Sequence, residues 1–166
     1  MSSRMNKILI SACLLGKPVR YNGSDLLLDH QILSRWLKEG RTVAICPEVE
    51  SGMPIPRPAA EISGGNGLDV ILGRAEVINR DKENVTACFL AGAQVALEKC
   101  RENRIKIAVL TESSPSCGSR TIHDGRFTGR KIEGEGVTTA LLRQNRIEVF
   151  SQFDIQAADR ALRAAG

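Results

Sequence analysis

Three apolar, strand-like runs in this chain each end on a cysteine: Lys7 to Cys13, Thr42 to Cys46, and Ile105 to Cys117 through a turn rich in serine and proline. That repetition constrains the fold more than any other feature. If the runs are parallel strands of one open sheet, their carboxyl ends lie along one edge. Open α/β sheets carry their ligand sites at that edge. Three thiols far apart in sequence would then converge on one small volume. Three thiolates can hold a metal centre and leave one coordination position free for a substrate, as catalytic metal sites do.

The pattern between the cysteines supports such a sheet. Residues 7–15 read as the first strand, followed by a turn at 16–23. Leu28, Ile32, Leu33, Trp36 and Leu37 recur at helical spacing, which predicts a helix over 26–39 that Gly40 stops. A strand at 42–46 leads into an irregular stretch, 47–67. Residues 69–80 alternate around Gly73-Arg74 and suggest a strand pair or hairpin. Asn84 is placed to cap a helix reaching about Arg101, with Phe89, Ala93, Ala96, Leu97 and Cys100 facing inward. A strand at 105–110, a long loop 111–135 with a hairpin-like segment at 121–129, a helix near 136–144, a strand at 147–150 and a helix from about Asp154 follow. Strands alternating with helices predict a single α/β domain over 1–166, core 7–153. Its sheet should be mostly parallel and doubly wound (Rossmann-like), with helices on both faces. The two long loops each follow or contain a cysteine, and loops of that length in a compact domain are usually functional.

Bulk properties narrow the function. Net charge is +4 from 23 basic and 19 acidic residues, and the basic residues are dispersed. That favours an anionic small ligand over duplex nucleic acid. Aromatics make up only 4%, which leaves little stacking surface for single strands. The amino-terminal residues are short and polar, with no long apolar segment, so the expected location is cytoplasmic, with neither membrane nor nucleic-acid partners. Five cysteines in such a chain argue against disulfides and for metal or catalytic use.

The cysteines are not equivalent. Cys88 and Cys100 fall inside the 84–101 helix, where a free cysteine packs as a small apolar residue. Cys13, Cys46 and Cys117 share a strand-to-loop position, which packing alone explains less well. No pair shows the C-x2-C spacing of structural zinc, and closing a zinc site would need a histidine such as His123, which otherwise reads as an exposed loop residue. Soft thiolates also select iron–sulfur clusters, though the compact ferredoxin spacing is absent. Glu48, two residues past Cys46, is placed for acid–base work. Ser113, Ser114 and Ser116 crowd the turn before Cys117, where they can bind a ligand or simply form the turn. The proline-stiffened segment 52–61 can aim Arg57 and Glu61 across the sheet edge, unless the two form a surface pair. Residues 63–67 lack the phosphate-loop patterns and read as a flexible turn.

The set of motifs is specific in its order: Ser11-Ala-Cys13-Leu-Leu-Gly16 with Val19-Arg20-Tyr21, Cys46-Pro-Glu48, Pro54-x-Pro56-Arg57-Pro58, Ser114-Pro-Ser-Cys117-Gly118, Asp124-Gly125-x-Phe127 and Gly134-x-Gly136. It closely resembles the thiouracil desulfurase family (domain of unknown function 523) over about residues 7–153. The resemblance implies a [4Fe-4S] cluster on Cys13, Cys46 and Cys117, with its fourth iron open to the sulfur of a thiolated uracil. Glu48 would transfer protons and Ser114 would be its catalytic partner. Arg20, Tyr21, Arg57 and Ser116 would contact the substrate, a base or a nucleotide such as 4-thio-UMP, whose phosphate Arg20, Arg57 or Lys17 could hold. Conversion to uracil plus sulfide would need no net electron transfer, and cluster insertion would involve the iron–sulfur assembly machinery. Glu50-Ser51 and Glu112-Ser113 depart from the family's pattern. The competing classes are a non-catalytic iron–sulfur sensor and a zinc-stabilised binding domain.

Overall fold

In a computed structural model, which describes residues 5–165, the first apolar run is an inner strand of the main sheet. The elements, in order, are β1 (Ile8–Ser11), α1 (Gln31–Lys38), β2 (Thr42–Ile45), α2 (Pro47–Glu50), β3 (Ala60–Ser63), α3 (Gly67–Ile71), β4 (Glu76–Asn79), α4 (Thr86–Asn103), β5 (Ile107–Leu110), β6 (Thr121–His123), β7 (Lys131–Glu133), α5 (Val137–Gln144), β8 (Glu148–Ser151) and α6 (Ile155–Ala164). Residues Met1–Arg4 and Gly166, which the domain reading includes, lie outside the described residues.

The main sheet is parallel, in the order β2-β1-β5-β8. Side chains on its inner strands alternate between two cores, the period-two signature of strands covered on both faces. Leu9, Ala108 and Leu110 pack with Ala96, Leu97 and Cys100 of α4 and Leu142 of α5. Ile8, Ile10, Ile107 and Val109 pack with Leu33 and Trp36 of α1 and with Ile155, Ala158 and Leu162 of α6. The doubly wound architecture is therefore present. The chain runs outward from β1 to β2 on one side and to β5 and β8 on the other, so the order reverses between β1 and β5. Such a reversal opens a crevice at the carboxyl ends of the strands.

A smaller layer flanks that edge. Strands β3 and β4 pair antiparallel, as do β6 and β7. Ile62, Val70, Val77, Ile122 and Val137 form their core with Phe89 and Ala93 of α4. This layer differs from the sequence expectation. Residues 69–80 are not a hairpin: α3 ends at Ile71, and β4 pairs with β3, which lies in the stretch read as irregular. Residues 63–67 are more than a flexible turn, because Asn66 and Asp69 form a reciprocal capping box that starts α3. The helix expected over 26–39 begins only at Gln31, where the His30 imidazole accepts the Ile32 N–H at 3.0 Å. Upstream, the N–H groups of Leu26 and Leu28 donate to the carbonyls of Cys13 and Leu14, which holds that segment extended. The first strand ends at Ser11, and residues 12–15 tighten into a 3-10 turn that closes on Gly16 with φ +88°.

Candidate active site

Each of the three cysteines occupies a turn just past a strand end. Cys13 is in the 3-10 turn after β1. Cys46 is the residue that starts α2, with Pro47 at the first helical position, where proline's missing N–H is no loss. Cys117 ends a turn after β5 in which the Ser114 Oγ accepts the N–H groups of Ser116 and Cys117, the latter at 2.8 Å. The carbonyls of Pro115 and Ser116 in turn accept the first N–H groups of α5, and the Thr139 hydroxyl donates to the Cys117 carbonyl at 2.9 Å. Gly136 makes this seat possible, because any Cβ there would strike the backbone of Ser116 and Cys117. Gly92 of α4 lets the backbone of Pro47 approach in the same way. The Cys13 Sγ lies 3.0 Å from the Thr111 hydroxyl, across the β1–β5 crevice.

All three thiols line one cavity of about 490 Å³, together with Glu48, Ser114, Arg20, Tyr21 and Arg57. Burial pushes each thiol up from its ordinary value, and the nearby Glu48 carboxylate pushes further in the same direction. The Thr111 hydrogen bond and the Arg20 charge partly offset this at Cys13. Three thiols on the wall of one cavity are a soft donor set of the kind that selects iron–sulfur clusters. Among the described residues, no three His, Cys, Asp or Glu side chains close around a single metal ion. The thiols stand on separate turns around a cavity instead, which suits a group with several metal atoms rather than a closed zinc site.

Glu48 has one strong partner. Its carboxylate accepts from Arg57 Nη2 at 2.7 Å, and the two side chains are 16% and 3% exposed. Arg57 also donates to the carbonyls of Val19 and Pro54. The sequence alternative of an Arg57–Glu61 pair is not formed: Glu61 accepts instead from the N–H groups of Gly125 and Phe127, tying β3 to the tip of the β6–β7 hairpin.

Comparison with known proteins points one way. The sequence profile of 2-thiouracil desulfurase matches residues 8–154. The chain belongs to the 2-thiouracil desulfurase family. It is 40% identical over 148 residues to the uncharacterized protein YbbK of Bacillus subtilis (strain 168), covering 89% of this chain and 97% of YbbK. A solved structure described as the [4Fe-4S]-dependent thiouracil desulfidase TudS superposes with a TM-score of 0.88 at 44% identity, covering 96% of this chain and 99% of that one.

In this desulfurase-family chain not every residue singled out from sequence reaches the cavity. Tyr21 lines it, exposed, with the Arg20 guanidinium 6.0 Å from its ring centre. Ser116 is fully buried, with its hydroxyl bonded to Thr138 at 2.8 Å, and is absent from the lining. Arg57 lines the cavity but is committed to Glu48. Lys17 is not in the lining, whereas Arg80 and Lys131 are. Three further residues take parts that the sequence did not assign to them. Thr111 follows β5 and reaches Cys13. Glu112 accepts the N–H groups of Ser119, Arg120 and Thr121 and so folds the segment after Cys117. Burial alone would raise the Glu112 pKa, but the Ser119 hydroxyl and these N–H groups hold it below the ordinary carboxylate value. His123, expected to be exposed, lines the cavity with its Nδ1 closed off from solvent. The sequence pointed to it only as a histidine in the loop after Cys117 that could close a zinc site.

Proposed function

We propose that this protein is a [4Fe-4S]-dependent desulfurase that converts a thiolated uracil to uracil and sulfide, with Cys13, Cys46 and Cys117 as the cluster ligands. The carrying observation is the convergence of these three thiols with Glu48 on one cavity at the switch point of the sheet. When bound, a cluster on three thiolates supplies a Lewis-acidic iron position with affinity for soft sulfur. The protein supplies the rest. Glu48, oriented by Arg57, takes a proton from water as its oxygen attacks the C=S carbon; the carbon gains oxygen, and sulfur departs as sulfide after accepting protons. Ser114, whose oxygen accepts two backbone N–H groups, keeps its own O–H to donate into the cavity. No electron transfer is required, which separates this reading from a redox sensor.

The cavity rim favours a nucleotide over the free base. Arg20, Arg80 and Lys131 line it, and none has a carboxylate partner among the described residues. A monophosphate such as that of 4-thio-UMP matches this charge. The test is sulfide release by anaerobically reconstituted protein given 2-thiouracil, 4-thiouracil or 4-thio-UMP, with Glu48→Gln alongside. Sulfide from at least one of these, fastest with the nucleotide and about 10²–10⁴-fold slower in the variant, is expected. Equal rates in the variant remove Glu48 from the chemistry. No sulfide from any of the three rejects the function.

A further inference from the structure

The structure assigns to His123 a role that the reading above leaves open: its Nε2–H donates a hydrogen bond to the exocyclic oxygen of the thiolated pyrimidine, the one position where substrate carries oxygen rather than sulfur. The assignment rests on the proposed desulfurase reading for the identity of the ligand and on the following geometry for the residue.

His123 ends β6, opposite Lys131 of β7. Its neighbour Ile122 points the other way, into the core of the smaller layer, so alternation along the strand turns the imidazole to the cavity that both His123 and Lys131 line. The imidazole makes no hydrogen bond to any described residue. Its Nδ1 is the one buried side-chain nitrogen or oxygen among the described residues without a partner. Buried polar atoms are nearly always paired, and an exception calls for an explanation. A neutral imidazole carries one N–H and one lone pair. Orphaned buried N–H groups are rarer than orphaned acceptors, so the closed-off Nδ1 favours the tautomer with its lone pair there and the proton on Nε2. Nε2 is then the nitrogen left open, a donor on a short strand rather than a mobile loop.

The carboxylates of the cavity are already engaged, and its other donors include the long, flexible Arg20, Arg80 and Lys131 side chains and the Ser114 O–H next to the Cys117 turn. Glu48 holds Arg57, Glu112 holds residues 119–121, Glu61 holds the hairpin tip, and the Ser114 oxygen accepts from the backbone. A thiolated uracil presents two exocyclic acceptors, one sulfur and one oxygen. Sulfur is a poor hydrogen-bond acceptor, so an N–H donor fixed on β6 favours the ring orientation that brings oxygen to it. Sites built around such a donor lose affinity when the acceptor is missing, because the donor is left unpaired.

The experiment measures uracil affinity by calorimetry and kcat/KM for a monothiolated uracil and for 2,4-dithiouracil, on cluster-loaded wild type, His123→Phe and His123→Gln. Iron content and melting temperature report on folding. Wild type should prefer the monothiolated substrate, and His123→Phe should keep its iron, bind uracil about tenfold more weakly and lose that preference. His123→Gln, whose amide nitrogen reaches the Nε2 position, should recover most of both. A His123→Phe protein that binds uracil and discriminates as wild type does overturns the assignment while leaving the desulfurase reading intact. Loss of iron in both variants likewise overturns it and makes His123 a support for the fold. A wild-type protein that releases no sulfide from 2-thiouracil, 4-thiouracil or 4-thio-UMP rejects the desulfurase reading itself, and the assignment with it.

Discussion

Glu48 is surrounded by thiols and partly enclosed, so its one cationic partner governs how it behaves. Arg57 is almost fully buried and joins that carboxylate to the Val19 and Pro54 carbonyls. Breaking a buried pair from one side strands the other charge. Arg57→Met should therefore lower stability by about 3–5 kcal/mol, read by denaturant titration, and slow sulfide release. Neither helical cysteine, Cys88 or Cys100, lines the crevice. Burial pushes the Cys100 thiol up to about 12, so little of it is thiolate at neutral pH. Alkylation of the native protein at pH 8, followed by mass spectrometry, should leave Cys100 unmodified, and Cys100→Ala should retain full iron. At this scale the sequence was informative where a residue type carries its own chemistry: Cys13, Cys46, Cys117 and Glu48 do line one cavity. It was uninformative where a role depends on who lies opposite. Ser116 looks like a ligand group until Thr138 occupies its hydroxyl, and His123 looks exposed until β6 turns it inward.

Turns, rather than strands, deliver the thiols, and each is held by a neighbouring element. The Cys117 turn rests on the N-terminus of α5 through Gly136. Gly136→Ala forces the two backbones apart, and the expected outcome is loss of iron together with a lower melting temperature. Retention of full iron would separate the turn's position from cluster binding. On the opposite face, α1 and α6 are joined through Asp159, which accepts from Trp36 Nε1 at 3.0 Å and pairs with Arg35 and Arg163. Burial would raise its pKa, but the hydrogen bonds from Arg35 and Trp36 and the charges of Arg35 and Arg163 outweigh this and hold it below the ordinary aspartate value. The stability it contributes is therefore present above its unfolded value of about 3.9 and is lost as pH falls through the lower folded value. Asp159→Asn should cost about 1–3 kcal/mol at pH 7 and flatten the acid-unfolding profile in that window. The elements that periodicity located best are those with one long apolar face, such as α4, whose five expected inward residues are all buried. Short elements defined by pairing or capping escaped it. β3 has only four residues and gains its identity from β4, and α3 is started by an Asn66–Asp69 exchange that composition alone does not reveal.

For the whole molecule, parallel topology explains why motifs far apart in sequence act together. The β2-β1-β5-β8 order puts the turns after β1, β2 and β5 side by side at the switch point, and the two small antiparallel pairs wall the cavity on a further side. The inner strands β1 and β5 were legible because each is a buried, largely apolar run; β3 and β7 were not, since charged residues interrupt them and they are partly exposed. No helix among the described residues is long and apolar enough to cross a membrane. The central claim is that Cys13, Cys46 and Cys117 hold one cluster. Iron and acid-labile sulfide per chain, measured on protein purified without oxygen, test it most directly. About four of each is predicted, falling sharply when any one of the three is replaced by alanine and unchanged in Cys88→Ala and Cys100→Ala. Zinc alone, or no metal after reconstitution, would contradict the account.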